Sequence, residues 1–202
     1  MVYPLTKIFI FTILKLFIKD IKGVKNLPKN GAFIVAANHA GTIDGALIFY
    51  LLTTALNRKF HSFMTPEHFS NFFTKFLFKN IYQCIKINGS LKFGLDYLKR
   101  GEIVGIFPEG ERTRTGRIKK VERTGLGVMA LLTKAPVVPV GIKGSYEFWP
   151  FGRKFFKIKR ILQLNVGKPT RFNKKLNKKN AREVIRTVMK RIAKLSGQRY
   201  PH

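Results

Sequence analysis

The amino-acid sequence predicts an α/β fold with a mostly parallel central sheet flanked by helices. Short apolar runs of strand length alternate along the chain with longer segments whose apolar residues recur at helical spacing. The 202 residues and the 45% hydrophobic fraction suit one folded domain and argue against a disordered chain. Cys84 is the single cysteine, so the chain has no internal disulfide.

The N-terminal segment, residues 3–19, is the first expected helix. Its apolar residues are nearly continuous and are interrupted by Lys7 and Lys15. The run is shorter than the roughly 20 apolar residues that span a bilayer, and no small-residue cleavage site follows it. These features favour an amphipathic membrane-interface helix, although a helix that packs on the core stays open. We divide the chain into this membrane-interacting helix, residues 1–25, and a globular domain, residues 26–202.

Six further apolar runs have the length of buried strands. Turn residues bound them, and helical segments stand between most of them, which favours parallel pairing. The expected strands are residues 32–38, 60–64, 81–87, 102–107, 136–142 and 160–166.

Five segments have the apolar spacing of helices. Residues 66–80 open with Pro66 and Glu67, which favour a helix start, and place several phenylalanines on one face. That face packs on the core or contacts a membrane or an acyl chain. The C-terminal segment has the apolar stripe of an amphipathic helix. The expected helices are residues 43–56, 66–80, 90–99, 123–133 and 180–195.

The charge balance is strongly basic. The chain has 39 Lys and Arg residues against 10 Asp and Glu residues, a formal net charge of +29. Such a surface attracts nucleic acid, an anionic membrane face or phosphorylated substrates. Part of the lysine content also fits the codon usage of an A/T-rich genome. Charge therefore points to anionic partners without choosing among them.

The stretch NHAGTIDG, residues 38–45, places a histidine and an aspartate at the end of an expected strand. Ligand sites collect at the carboxyl ends of the strands in such sheets. Asp44 can fold back to His39 and fix its tautomer, which leaves the other ring nitrogen as a base for a substrate hydroxyl. Alternatively, Asp44 caps the next helix and His39 is a structural hydrogen-bonder. No second His or Cys pair has ligand spacing, so we expect no metal.

A second polar stretch, IFPEGERTRTGRIKK, spans residues 106–120. Its arginines follow a strand and suit a phosphate group, and Gly110 and Gly116 allow close approach of the backbone to a ligand. Glu109 can orient one of the arginines. A solvated basic loop is the alternative. The cations are Arg112, Arg114, Arg117, Lys119 and Lys120.

These stretches resemble one family. NHAGTID resembles the histidine–four–aspartate motif of the glycerolipid acyltransferases, in particular the lysophosphatidate (1-acylglycerol-3-phosphate) acyltransferase family. FPEGERT resembles that family's F-P-E-G-T-R-S block, and VPVGI resembles its later V-P-V block. The three stand in family order between residues 38 and 142, and with their flanking elements they cover most of the chain.

The resemblance assigns roles to matching residues. His39 corresponds to the catalytic base and Asp44 to its orienting partner. Glu109, Gly110 and Arg112 correspond to the block that binds the acceptor phosphate. Pro139, in the V-P-V block, corresponds to the acyl-donor side. The implied domain at residues 26–202 is an acyltransferase catalytic domain.

The implied reaction moves a fatty acyl group from acyl-coenzyme A or acyl carrier protein to lysophosphatidate, in phospholipid biosynthesis. No cofactor and no covalent acyl-enzyme is expected. The partners are an anionic membrane surface, a lysophospholipid and the acyl donor, without nucleic acid. The implied location is a membrane, at the cytoplasmic face of a bacterial inner membrane.

Two departures from the family pattern leave alternatives open. Gly89 stands where a phosphate-binding arginine is usual, and Lys86 is the candidate substitute. Glu111 replaces a common threonine. Another lysolipid acceptor, for example an acylated amino-acid lipid, therefore stays open as a second function. A basic nucleic-acid-binding protein is the rival outside the enzymes.

Overall fold

The structure is a computed structural model that describes residues 12–64, 85–86 and 91–201. Within these residues, seven strands form one sheet in the order β1-β7-β6-β2-β5-β3-β4. All neighbouring strands are parallel except β6 and β7, which are antiparallel. The strands are β1 Ile18–Lys22, β2 Phe33–Ala37, β3 Phe60–Met64, β4 Ile85–Lys86, β5 Ile103–Ile106, β6 Val137–Lys143 and β7 Leu162–Val166.

Helices cover both faces of this sheet. Strand β2 lies between β5 and β6, and all five of its residues are buried. Alternate β2 side chains enter two hydrophobic clusters, one with α1 and the other with α3 and α5. The predicted α/β fold is therefore confirmed. The helices are α1 Asp44–Leu56, α2 Lys92–Lys99, α3 Gly125–Thr133, α4 Ser145–Phe148 and α5 Lys178–Ser196, with a 3-10 turn at Val24–Asn26.

The long C-terminal helix α5 supports the centre of the sheet. Asn177 caps its start by accepting a hydrogen bond from the Asn180 N–H, at 2.7 Å. The helix lies very close to α3 and β6, because Gly127 and Gly141 have no side chain there. A Cβ at residue 127 would lie 2.2 Å from the Ala181 carbonyl oxygen, a separation that real Cβ atoms do not show. The two glycines therefore set how closely α5 packs.

The N-terminal segment differs from the expected helix. Residues 12–17 are helical, but strand β1 begins at Ile18 and pairs in parallel with β7. Residues 18–22 therefore belong to the sheet, inside the segment that we assigned to the membrane helix. Leu14 is buried in the core, whereas Ile13 and Leu16 are exposed. Contact of this segment with a membrane stays a prediction.

Two other expectations lie wholly or mostly outside the described residues. The expected helix at residues 66–80 lies outside the described residues, and so does most of the expected strand at 81–87. The structure adds α4, a four-residue helix that is too short to leave a periodic pattern in the sequence. Among the helices of the described ranges, none combines the length and the hydropathy needed to cross a bilayer.

Candidate active site

The two polar stretches meet at one edge of the sheet. Strands β2 and β5 are paired in parallel, with Ala36 opposite Ile106, so their carboxyl ends lie side by side. His39 and Glu109 each follow one of these ends by three residues or fewer. The backbone N–H of His39 donates to Glu109 Oε1 at 2.8 Å, and the N–H of Thr113 donates to the His39 carbonyl oxygen at 3.0 Å. The second stretch therefore holds the backbone of His39 on both sides.

The His39 ring is oriented by a buried carboxylate. Asp44 Oδ2 lies 2.9 Å from His39 Nδ1 and also accepts hydrogen bonds from the N–H groups of Ala40, at 2.7 Å, and Gly41, at 2.8 Å. The Asp44 side chain is 0% exposed and the His39 side chain 18%. An ionised acceptor with several N–H donors is a strong anchor. With the proton on Nδ1, the Nε2 lone pair is available as a base.

This geometry argues against Asp44 as a helix cap, while the role of His39 as a base stays a prediction. Helix α1 begins at Asp44, but its N-cap residue Ile43 makes no side-chain cap hydrogen bond. The carboxylate instead bonds to groups that precede the helix. Asp44 is therefore the partner of His39 and of the turn between them, not a helix cap.

Two neighbours fix the His39 turn from outside. The Phe107 ring stacks on the imidazole, with 4.0 Å between centroids and an interplanar angle of 13°. Gly41 is buried against helix α4, and a Cβ there would lie 2.3 Å from the Ser145 carbonyl oxygen. The imidazole is thus held by packing as well as by hydrogen bonds.

Glu109 is a buried organiser of the second loop. Its Oε2 accepts a hydrogen bond from the Lys119 N–H at 3.0 Å, in addition to the bond from His39 to Oε1. Burial raises the pKa of Glu109, and these hydrogen bonds and nearby positive charges offset part of that rise. Both oxygens are thus used to join two backbone segments. Glu109 therefore holds backbone N–H groups, and the suggestion that it also orients an arginine stays a prediction.

Arg112 interacts electrostatically with Asp44. Its guanidinium lies over the Phe151 ring, 4.4 Å from the centroid. Burial lowers the pKa of Arg112, and the negative charge of Asp44 opposes this change. A half-buried arginine that interacts electrostatically with the partner of the candidate base is suited to an anionic group, since a guanidinium binds phosphate through paired hydrogen bonds.

Gly110 marks a close approach of a second guanidinium. Its φ of +79° is a backbone conformation that residues other than glycine rarely adopt. A Cβ there would lie 3.2 Å from Nη1 of Arg123, so the Arg123 guanidinium lies directly against this loop. Glu111 forms an exposed ion pair with Lys119, at 2.7 Å. The negative charge of Glu111 is therefore paired with a lysine of the same loop.

Other predicted residues are less closely placed. Lys86 lies on β4 at the end of the sheet, two strands away from β5, and only its backbone is described. Gly89 and Cys84 lie outside the described residues. Pro139 lies within β6 opposite Ala36, and its ring faces Gly167. The structure thus brings together His39, Asp44, Glu109, Gly110 and Arg112. The role of Lys86 stays a prediction, because only the backbone of that residue is described.

Sequence reasoning missed several neighbours of the site. Arg123 is 13 residues after Gly110, and no spacing rule connects them. Trp149 and Pro150 meet the histidine turn through a hydrogen bond from the Thr42 N–H to the Trp149 carbonyl oxygen and a bridge between Gly41 and Pro150. Only the fold brings these distant segments together. In the described part of the chain, no three His, Cys, Asp or Glu side chains gather closely enough to hold a metal ion.

Known proteins resemble the chain in sequence and fold. The sequence profile of the Acyltransferase family matches residues 19–143. A 1-acyl-sn-glycerol-3-phosphate acyltransferase of Bacillus subtilis is 33% identical over 150 residues, which cover 72% of this chain and 70% of that protein. A chloroplastic 1-acyl-sn-glycerol-3-phosphate acyltransferase of Brassica napus is 29% identical over 140 residues, which cover 66% of this chain and 39% of that protein.

A solved structure has a similar fold. The crystal structure of the 1-acyl-sn-glycerophosphate (LPA) acyltransferase PlsC from Thermotoga maritima superposes with a TM-score of 0.74. The match covers 93% of this chain and 76% of that protein, at 24% sequence identity. At this level of identity, the likeness concerns the fold.

Proposed function

Because the chain belongs to the acyltransferase family that includes the 1-acyl-sn-glycerol-3-phosphate acyltransferases, we propose that it transfers a fatty acyl group to the free hydroxyl of lysophosphatidate. The acyl donor is acyl-coenzyme A or acyl carrier protein, and the product enters phospholipid biosynthesis. The observation that carries the proposal is the 2.9 Å contact between His39 Nδ1 and the buried Asp44 carboxylate.

The pair would act as a general base. Nε2 of His39 takes the proton of the acceptor hydroxyl while the hydroxyl oxygen attacks the thioester carbonyl. The tetrahedral intermediate then expels the thiolate, which takes the proton back from the imidazolium. Asp44 stabilises the imidazolium through Nδ1–H. The residues act directly on the two substrates, without a cofactor and without a covalent acyl-enzyme.

The acceptor phosphate would bind beside the Gly110 loop. Arg112 is half-buried and interacts electrostatically with Asp44, and Arg123 lies against Gly110. Two guanidinium groups suit a phosphate better than a single lysine does, because each offers paired donors. We infer that Arg123 supplies the second cation that the sequence alone led us to seek in Lys86, since Gly89 replaces the usual arginine.

A second acceptor follows from the same departure. If Arg123 does not replace the arginine that Gly89 lacks, the acceptor is instead a lysolipid with a different headgroup, such as an acylated amino-acid lipid. Membrane association at the cytoplasmic face of a bacterial inner membrane is part of the proposal. It is supported by the net charge of +29 and by the exposed Ile13 and Leu16 in the helical segment near the N-terminus.

The test is acyl transfer in uncharged detergent micelles. A panel of lysolipid acceptors is offered with acyl-coenzyme A and acyl carrier protein donors, to wild type and to His39→Ala. The expected result is turnover on lysophosphatidate that falls by at least about a hundredfold in the variant. His61→Gln is the matched control. His61 lies on strand β3 and, like His39, pairs with a carboxylate, with 2.5 Å between its Nε2 and Glu102 Oε2, but it lies outside the site. Equal turnover in wild type and His39→Ala would reject the base assignment.

Arg123→Gln tests the phosphate site. The expected result is a KM for lysophosphatidate raised by about tenfold with a smaller change in kcat, because one charge-assisted contact to the acceptor is lost. Arg182→Gln is the control, since Arg182 is exposed on α5. Turnover confined to an acceptor without a phosphate monoester would contradict lysophosphatidate as the acceptor but would leave the proposed mechanism unchanged.

A further inference from the structure

The loop that joins α4 to β7 carries an unusual exposed surface. We call residues 151–160 the basic aromatic loop; all ten of its residues are exposed. Phe155 is 78% exposed and Ile158 is 84% exposed. The loop contains no acidic residue. Its cations are Arg153, Lys154, Lys157, Lys159 and Arg160.

The loop is held in place at its base. The Lys157 N–H donates to the Phe148 carbonyl oxygen at 2.8 Å, and Trp149 Nε1 donates to the Arg153 carbonyl oxygen at 2.8 Å. Phe156 stacks on the buried Phe148, with 5.1 Å between centroids. Because this aromatic anchor is fixed, Phe155 and Ile158 are presented to solvent by a defined backbone.

A second apolar segment lies beside the loop. The Phe17 ring contacts the Phe156 ring, with 5.6 Å between centroids, and Arg160 Nε donates to the Ile18 carbonyl oxygen at 3.0 Å. Residues 12–17 expose Ile13 and Leu16. Two exposed apolar segments with interspersed cations thus lie next to each other.

The loop also begins at the candidate active site. Phe151 lies under the Arg112 guanidinium, and Pro150 forms a bridge with Gly41 in the histidine turn. A surface bound by this loop would therefore be close to the place where the acceptor must enter.

We propose that the basic aromatic loop docks on a bilayer that contains anionic phospholipids. The five cations bind headgroups, while Phe155 and Ile158 enter the interfacial layer beside them. This inference rests on the proposed function, because a lipid acceptor must reach the site from a membrane. Single-stranded nucleic acid also binds cations and aromatics, but it offers no favourable environment for an aliphatic side chain as exposed as Ile158.

The experiment measures flotation of the full chain with vesicles. The vesicles are phosphatidylcholine alone or phosphatidylcholine mixed with phosphatidylglycerol. One variant, Lys154→Gln/Lys157→Gln/Lys159→Gln, removes charge, and another, Phe155→Ser/Ile158→Ser, removes the apolar tips. The control Lys178→Gln/Lys179→Gln/Lys190→Gln removes the same charge from exposed positions of α5.

Wild type and control should bind phosphatidylglycerol vesicles with similar affinity. Each loop variant should bind about tenfold more weakly or worse, because three cations or two inserted side chains are lost. Trp149, the single tryptophan, lies 5.6 Å from the Phe156 ring between centroids and reports on the loop itself. Its fluorescence should be quenched by brominated phosphatidylglycerol in wild type and much less in Phe155→Ser/Ile158→Ser.

Equal vesicle binding by wild type and both loop variants would overturn the proposal. So would binding to single-stranded RNA that outcompetes the vesicles. Turnover in uncharged micelles separates this outcome from failure of the proposed function, because the loop variants should keep wild-type micelle activity. If the loop variants lose vesicle binding but keep micelle activity, membrane docking by the loop is supported. If wild type is inert in micelles, only the acyltransfer proposal is rejected.

Discussion

Oδ2 of Asp44 accepts hydrogen bonds from three groups, all in the turn that precedes its own helix. Its other oxygen, Oδ1, is buried and has no hydrogen-bond partner in the part of the chain that the structure describes. The positive charge of Arg112 acts on the same carboxylate. Asp44 thus combines two tasks, since it closes the turn and carries the negative charge that an imidazolium needs.

Asp44→Asn separates these two tasks. The amide oxygen can still accept from the backbone N–H groups, but the negative charge is lost. We expect kcat to fall by about a hundredfold or more. We expect a modest loss of stability, about 1–3 kcal/mol, because the new amide N–H₂ is buried without an acceptor. Turnover and urea unfolding measure the two effects. A folded variant with wild-type kcat would show that Asp44 serves the turn alone.

Glu109 allows a test through pH. Because burial raises its pKa, the folded protein holds this proton more tightly than the unfolded chain does. The contribution of Glu109 to the free energy of unfolding is therefore fully present below the ordinary glutamate pKa. It declines as pH rises from there through the raised folded pKa.

Glu109→Gln removes that titration. The free energy of unfolding of wild type minus that of the variant, from urea titrations at several pH values, should decrease as pH rises through this window. The exposed Glu122→Gln is the control and should show no such trend. A difference that increases with pH would mean that the hydrogen bonds from His39 and Lys119 outweigh burial.

At the scale of elements, the close packing of α5 on α3 and β6 depends on glycines, which have no side chain. Gly127→Ala would place a Cβ 2.2 Å from the Ala181 carbonyl oxygen, which is backbone and cannot rotate away. Alanine is the better helix former by about 1 kcal/mol. Overpacking costs about 1–3 kcal/mol and should outweigh that gain, so we expect a net loss of stability.

Gly45→Ala is the matched control for that prediction. Gly45 is exposed near the start of α1 and has nothing within 4 Å of an added Cβ. Here only helix propensity acts, so urea unfolding should show no loss of stability. Destabilisation of both variants by similar amounts would exclude the packing explanation.

Some elements could be predicted and others could not, for physical reasons. Strands β2 and β5 are buried on both faces, so their sequences are short continuous apolar runs with clear ends. Strand β1 escaped prediction because Ile18–Lys22 follows a long apolar run and its strand conformation depends on pairing with β7, far along the chain. For the same reason, the sequence does not predict the contact between Arg123 and Gly110, which depends on the fold.

The candidate site divides in the same way. His39 and Glu109 lie just after strand ends, and Asp44 begins the helix after the histidine turn, so sequence order determines their spatial positions. Their mutual contacts follow from local chain reversal and from one parallel strand pair. Phe151 comes from a loop more than a hundred residues after His39, and no local pattern predicts its contact with Arg112.

The whole molecule carries a large positive charge, because it has 39 basic residues and only 10 acidic ones. Two of those acids, Asp44 and Glu109, are engaged with N–H groups at the site. A field of this sign raises the local concentration of anionic surfaces around the protein. Recruitment to a membrane should therefore depend on ionic strength, whereas chemistry inside the site should not.

That difference gives a prediction for the intact enzyme. Raising salt from about 0.1 M to about 1 M shortens the Debye length from roughly 10 Å to roughly 3 Å. Acyl transfer to lysophosphatidate in phosphatidylglycerol vesicles should then slow by about tenfold, because surface attraction is screened. At saturating lysophosphatidate, the rate in uncharged micelles should change by less than about twofold, since the buried Asp44 and half-buried Arg112 are screened less than exposed charges are. An equal loss in both assays would place the salt effect at the acceptor phosphate, and the positive surface would then have no part in recruitment.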